Sequence, residues 1–92
     1  MDDEQKQLKA VSKAQRAKAT LDNESINDAF RYLDDQFIAR WRQCQTIEGR
    51  DRLWQASQIL EQVKNCLALA VRDGEVAKRI LDSIETNRRK AA

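Results

Sequence analysis

Two apolar stripes at helical spacing, joined by a short polar segment, constrain the fold of this chain more than any other feature. The first stripe consists of Ile26, Phe30, Leu33, Phe37, Trp41 and Cys44. The second consists of Leu53, Ala56, Leu60, Val63, Leu67 and Ala70. Steps of three and four residues keep side chains on one face of an α-helix. The pattern therefore predicts an all-α fold built on a long antiparallel helical hairpin, with its turn at residues 45–49.

Capping residues predict where the two long helices begin. Asp22 is placed to cap a helix over about 23–44, with Leu21 and Ile26 on either side as a hydrophobic staple. Thr46 is placed to cap the second helix. We therefore expect a short connection between two helices of unequal length.

Gly74 predicts the end of the second helix, since glycine readily adopts the left-handed conformation that stops a helix. A shorter third helix would follow, carrying Val76, Ala77, Ile80, Leu81 and Ile84. The alternative keeps Gly74 inside one long helix, at a cost of about 1 kcal/mol relative to alanine.

The N-terminal segment is polar and alanine-rich, with Leu8 and Val11 as its large apolar side chains. The composition is compatible with a helix, but so little apolar surface predicts a solvated, partly disordered arm that does not dock firmly. A second interpretation is a basic arm that orders on nucleic acid or on a protein partner. The resulting division is an arm at 1–20, a helical domain at 21–86 and a basic tail at 87–92.

Composition limits the class of protein. The 92 residues suit one domain, 35% of them are charged, and the net charge is +2. No apolar run approaches the roughly 20 residues that span a bilayer, so we expect no membrane contact. The acidic start lacks the apolar core of a signal peptide. We therefore expect a cytoplasmic protein with reduced cysteines.

The chain lacks the side chains from which most catalytic and metal sites are built. Histidine is absent, which removes the commonest general base and metal ligand. Cys44 and Cys66 cannot complete a zinc site, and the predicted hairpin separates them by about 25 Å, too far for a disulfide. Asp34 and Asp35 point about 100° apart on a helix. The sequence therefore predicts a protein that is not an enzyme and takes no cofactor or metal.

The predicted hairpin tip concentrates arginine and tryptophan. The segments Arg40-Trp41-Arg42 and Arg50-Asp51-Arg52-Leu53-Trp54 face each other there. One interpretation is that the indoles close the end of the core beneath stacked arginines. The other is a partner contact formed by Trp41, Arg42, Arg50 and Trp54.

The apolar residues beside the main stripes are more than two helices can cover. They are Ile38, Ile59, Cys66, Leu69 and Val71. Either the third helix folds back to make a three-helix bundle, or hairpins pair into a larger bundle. We favour self-association as a homo-oligomer with coiled-coil-like packing. The expected core and association residues are Leu33, Phe37, Leu60, Val63 and Leu67.

Residues 22–82 resemble small helical accessory proteins of tailed bacteriophages and prophages. The resemblance rests on Ala29-Phe30, Ile38–Arg42, the segment 48–56 (Glu-Gly-Arg-Asp-Arg-Leu-Trp-Gln-Ala) and Asp73–Ala77. It implies an accessory role in the gene region for heads and DNA packaging, without a defined activity. It also implies a bacterial host cytoplasm or a virion as the location, and phage structural or packaging proteins as partners.

Two functions follow as hypotheses. The first is a self-associating accessory protein that acts through protein–protein contacts in particle assembly or DNA packaging. The second is a nucleic-acid-binding accessory or regulatory protein that uses its basic arms and the hairpin tip. Its phosphate contacts would come from Lys6, Lys9, Lys13, Arg16, Lys18, Arg88, Arg89 and Lys90. No helix-turn-helix signature supports this second hypothesis.

Overall fold

The computed structural model describes residues 3–91, which form three α-helices and no strand. They are α1 (Asp3–Leu21), α2 (Glu24–Gln43) and α3 (Ile47–Ala91). The all-α prediction is confirmed. Met1, Asp2 and Ala92, at the outer ends of the predicted arm and tail, lie outside the described residues.

Helix α3 runs along the whole length of the molecule. Its 45 residues span about 68 Å at 1.5 Å per residue, which accounts for the 70 Å length of a molecule only 26 and 17 Å across. Helix α1 packs along the C-terminal half of α3, where Glu4 bonds to Arg88. Helix α2 packs along the N-terminal half, where Asp34 bonds to Lys64. The result is an extended helical hairpin, two helices thick, with one side divided between α1 and α2.

Two asparagines fix the connection between α1 and α2. The Asn23 side chain accepts a hydrogen bond from the backbone amide of Ile26 at 3.0 Å. The Asn27 side chain donates to the carbonyl oxygen of Leu21 at 2.7 Å. The predicted cap at Asp22 is therefore displaced by one residue, because Asn23 adopts the extended cap conformation and supplies the acceptor.

The connection between α2 and α3 covers residues 44–46 and is shorter than the predicted turn at 45–49, because α3 already begins at Ile47. The hydroxyl of Thr46 accepts a hydrogen bond from the amide of Gly49 at 3.1 Å, so the predicted cap of the second long helix is confirmed. Helix α2 ends at Gln43, and the backbone amide of its extended C-cap residue, Cys44, donates to the carbonyl oxygen of Arg40.

The expectation of a partly disordered N-terminal arm is wrong for residues 3–20, which belong to α1. The helix docks through small side chains rather than large ones: Ala17 is 6% exposed and Ala77, on α3, is 1% exposed. Small residues let two helix backbones approach closely and so compensate for the lack of large apolar groups.

The predicted break at Gly74 is also wrong. Helix α3 continues through this residue, and the separate third helix at 76–84 is its C-terminal part. Gly74 is buried against α1, where an added Cβ atom would overlap the Cβ of Ala14 and lie 3.4 Å from the carbonyl oxygen of Ala10. Glycine is thus used for close helix packing rather than as a stop signal.

The core of the protomer is thin. Within residues 3–91, the buried apolar side chains are those of Ala17, Leu60 and Ala77, and no large side chain is fully buried. A hairpin two helices thick shelters only one face of each helix. Much of the apolar surface of α2 and α3 is consequently exposed.

The helices of the described part of the chain are also too polar to cross a membrane. None combines the length and the mean hydropathy of a bilayer-spanning segment.

Candidate interaction surfaces

An exposed apolar surface runs along α3, on the side that α1 and α2 leave uncovered. We call it the α3 stripe, and it consists of Ile59, Val63, Cys66, Leu69, Val76 and Ile80. Ile59 is 61% exposed, the other four aliphatic members are between 39% and 48% exposed, and Cys66 is exposed as well. Their spacing places them along one side of the helix for about 30 Å. A patch of this extent is typical of a protein contact surface.

The predicted core and association residues lie at different depths. Leu60 is buried, and Phe37 and Leu67 are half-buried between the helices. Leu33 and Val63 are exposed, at 38% and 46%. The structure therefore brings Leu60, Phe37 and Leu67 into the interior of the hairpin and leaves the other two at its surface.

Lys64 explains why Val63 does not face α2. The ammonium group of Lys64 lies 2.9 Å from a carboxylate oxygen of Asp34 and 5.4 Å from the centre of the Phe30 ring. Rotating α3 to bury Val63 would break both contacts. The lysine stem covers the apolar interior at this level, while its charge reaches the surface.

A groove of about 190 Å³ lies at the hairpin tip, between the start of α3 and the end of α2. Its walls are largely apolar and are formed by Phe37, Ile38, Trp41, Leu53, Trp54 and Ser57. Trp54 is 60% exposed and Trp41 is 44% exposed. The two tryptophans therefore line an open groove rather than a closed end of the core.

The predicted tip arginines have different roles. The guanidinium group of Arg50 lies 4.6 Å from the centre of the Trp41 ring, and its Nε donates to the carbonyl oxygen of Cys44 at 2.8 Å. Arg50 thus ties the two ends of the turn together. Arg42 is exposed on α2 and is not part of the groove lining. The structure brings Trp41, Trp54 and Arg50 together but leaves Arg42 apart.

The predicted basic residues of the N-terminal segment lie on α1. Lys6, Lys9, Lys13 and Arg16 are exposed and follow one another at steps of three, four and three residues, so they share one side of the helix. Lys18 is exposed on a different side. The ion pairs formed among residues 3–91 do not include Lys6, Lys13 or Arg16.

Of the basic residues near the C-terminus, two form hydrogen bonds with carboxylates of the protein itself. Arg88 forms two hydrogen bonds with the carboxylate of Glu4, at 2.6 and 3.3 Å. Arg89 bonds to Glu85 at 2.7 Å. Lys90 is exposed in the last turn of α3. The positive charges of Arg88 and Arg89 are therefore paired with carboxylates within the protein.

Sequence reasoning missed the small residues that hold α1 in place. Ala10, Ala14 and Ala17 recur at steps of four and three on α1, opposite Gly74 and Ala77. The signal was present in the sequence as an alanine repeat at helical spacing. A search for large apolar side chains does not detect it.

A second groove joins α1 to the α3 stripe. It has a volume of about 370 Å³ and is lined by Lys13, Arg16, Ala17, Thr20, Cys66, Leu67 and Ala70. Cys66 therefore belongs both to the stripe and to a groove with two cationic side chains. Cys44 and Cys66 are both free thiols.

Comparison with known proteins adds no assignment: no protein-family model, curated protein or solved structure matches this chain.

Proposed function

We propose that this chain is a non-enzymatic helical accessory protein that acts by binding, first of all to copies of itself. The single observation that carries the proposal is the exposed α3 stripe. Among residues 3–91 the hairpin buries the apolar side chains of Ala17, Leu60 and Ala77, while larger ones such as Ile59, Val63 and Leu69 stay in contact with water. A second copy would remove that surface from water at about 25 cal/mol per Å².

The assembled form that we propose is a bundle in which antiparallel hairpins pair through their long helices. Its context, in this proposal, is phage or prophage particle assembly or DNA packaging, as the resemblance over residues 22–82 suggests. The groove at the tip would remain open in such a bundle. Trp41 and Trp54 would then be available for contact with a phage structural or packaging protein.

The test compares two substitutions at equally exposed apolar positions. Ile59→Asp places a charge in the α3 stripe, whereas Trp54→Gln changes the hairpin tip; the two native side chains are 61% and 60% exposed. We expect Ile59→Asp to weaken self-association at least tenfold, since burial of one such side chain contributes about 1.5–3 kcal/mol. Trp54→Gln should leave it unchanged. Sedimentation velocity over a concentration series measures both.

A monomeric wild-type protein at high micromolar concentration would refute self-association. Equal weakening by both substitutions would show that the contact surface is not confined to the α3 stripe.

Binding of nucleic acid is the second candidate function, and the shape of α1 favours it. The helix gathers Lys6, Lys9, Lys13 and Arg16 on one side, and no acidic residue occurs between Gln5 and Leu21. Such a row can follow a phosphate backbone.

The matched comparison for this second function removes two positive charges from each of two surfaces. The variant with both Lys6→Ala and Lys13→Ala should bind duplex DNA with about two fewer phosphate contacts. The slope of log affinity against log salt concentration should become shallower accordingly. The control variant with both Arg72→Ala and Arg79→Ala, at exposed positions of α3, should keep the slope of the native protein. Fluorescence anisotropy across a salt series measures the slope, and no binding at low salt would exclude this function.

A further inference from the structure

The four outer members of the α3 stripe are spaced symmetrically along the helix. Ile59 and Ile80 are equally far from the midpoint between Leu69 and Ala70, and so are Val63 and Val76. A surface with this symmetry is complementary to a second copy of itself turned end to end, which is the requirement of a two-fold interface.

The midpoint of the stripe coincides with the middle of the helix. Helix α3 runs from Ile47 to Ala91, and its central residue is Leu69. Two copies paired about this point overlap along the whole length of α3, and neither end extends beyond the partner. Contact along a full-length helix removes more apolar surface from water than a staggered arrangement does.

We propose that two copies of this chain pair through their α3 stripes in opposite directions, about a two-fold axis beside Leu69 and Ala70. The pairing deepens the proposed self-association and rests on it. Ile59 then packs against Ile80 of the partner subunit, and Val63 packs against Val76 of the partner subunit. Each of these contacts occurs twice.

Charge complementarity supports this orientation. Asp73 is an exposed carboxylate on the same side of the helix as the stripe, seven residues from both Cys66 and Ile80. The same symmetry sets it level with Cys66 of the partner subunit. The groove beside Cys66 is lined by Lys13 and Arg16. The carboxylate of one copy therefore enters a cationic groove of the other, and the two-fold axis repeats the contact.

Pairing in the same direction is less favourable for the same charges. It would place Asp73 opposite Asp73 of the partner subunit and leave Lys13 and Arg16 without an acidic partner from the stripe. Opposed like charges weaken an interface and disfavour that register. The same arrangement would also place the two Cys66 side chains opposite each other, which gives the two pairings different cysteine chemistry.

Disulfide crosslinking distinguishes the two arrangements. In a Cys44→Ser background, Asp73→Cys introduces a thiol that the proposed pairing places next to Cys66 of the partner subunit. Within one chain these positions are separated by about 10 Å along the helix, too far for a disulfide. Glu75→Cys is the matched control, because Glu75 lines a different groove with Val11 and Lys78.

The proposal predicts a crosslinked dimer with oxidised glutathione for Asp73→Cys, and little crosslinking for Glu75→Cys or for the Cys44→Ser background alone. Efficient crosslinking of the background through Cys66 would overturn the proposal in favour of pairing in the same direction. Dimeric mass by light scattering without crosslinking of Asp73→Cys would overturn the geometry and leave self-association intact. Monomeric mass would refute both.

A charge exchange provides an independent measurement that needs no new cysteine. Asp73→Lys should weaken the dimer, because it brings a third cation to the groove of Lys13 and Arg16. Adding Lys13→Glu and Arg16→Glu to the same chain should restore dimerisation to within about threefold of the native value. If the triple variant dimerises more weakly than Asp73→Lys alone, the proposed contact between Asp73 and the groove of Lys13 and Arg16 is wrong.

Discussion

Gly74 determines how closely α1 approaches α3. Its lack of a side chain leaves room for Ala14, and a Cβ atom at this position would overlap the Cβ of that alanine. Helix propensity alone favours alanine over glycine here by about 1 kcal/mol. Packing opposes this preference, because both colliding atoms are attached directly to helical backbone and cannot rotate away.

Gly74→Ala should therefore destabilise the protein despite its better helix propensity. We expect the free energy of unfolding to fall by about 1–3 kcal/mol, the usual cost of overpacking a close contact. Urea denaturation followed by circular dichroism measures the change.

The matched control removes the opposing methyl group. Ala14→Gly combined with Gly74→Ala exchanges the two side chains across the contact and should recover most of the loss, giving a coupling energy in a double-mutant cycle. A stabilised Gly74→Ala protein would contradict this account of the contact.

Helix α2 and the following turn were predictable because their signals are local. The expected helix over about 23–44 agrees with Glu24–Gln43, and the hydroxyl of Thr46 accepts the predicted capping bond. A cap and an apolar stripe can be recognised within a few turns of sequence. No distant part of the chain is needed to interpret them.

The other two elements were not predictable in the same way, because each depends on the other. The alanines of α1 provide a docking surface only against a glycine on the facing helix. Gly74 remains helical because α1 packs against it. Taken separately, the two segments indicate a weak helix and a stop signal.

The continuity of α3 can be measured directly. Spin labels at Glu61→Cys and Arg79→Cys, with Cys44→Ser and Cys66→Ser, lie five helical turns apart. One unbroken helix predicts a single narrow separation of about 27 Å between the labelled backbone positions. Double electron–electron resonance, with labelled protein diluted into unlabelled protein, measures it.

A third helix folding back after Gly74 would give a markedly shorter distance or a broad distribution. Labels at Arg52→Cys and Arg72→Cys, both before Gly74 and about 30 Å apart along the helix, provide a control whose distance does not depend on that residue.

The whole molecule is long and thin, and this shape determines which surfaces are available for binding. An extent of 70 × 26 × 17 Å leaves one side of α3 uncovered over its length. The sequence predicted an excess of apolar residues and the position of the tip tryptophans. It identified Ile59, Cys66 and Leu69 as apolar side chains beside the main stripes, but it placed Val63 in the buried seam. Val63 is exposed because Lys64 occupies the position facing α2.

The proposed pairing also predicts the size of the assembly. Two copies aligned about the middle of α3 double the mass and thicken the particle without lengthening it. End-to-end association through the tips would instead nearly double the length.

Small-angle X-ray scattering tests this central claim most directly, because forward scattering gives the mass and the distance distribution gives the longest dimension. The account predicts a particle of twice the 10.7 kDa protomer mass, with a longest dimension close to the 70 Å of one hairpin. A particle of protomer mass at high micromolar concentration would contradict it.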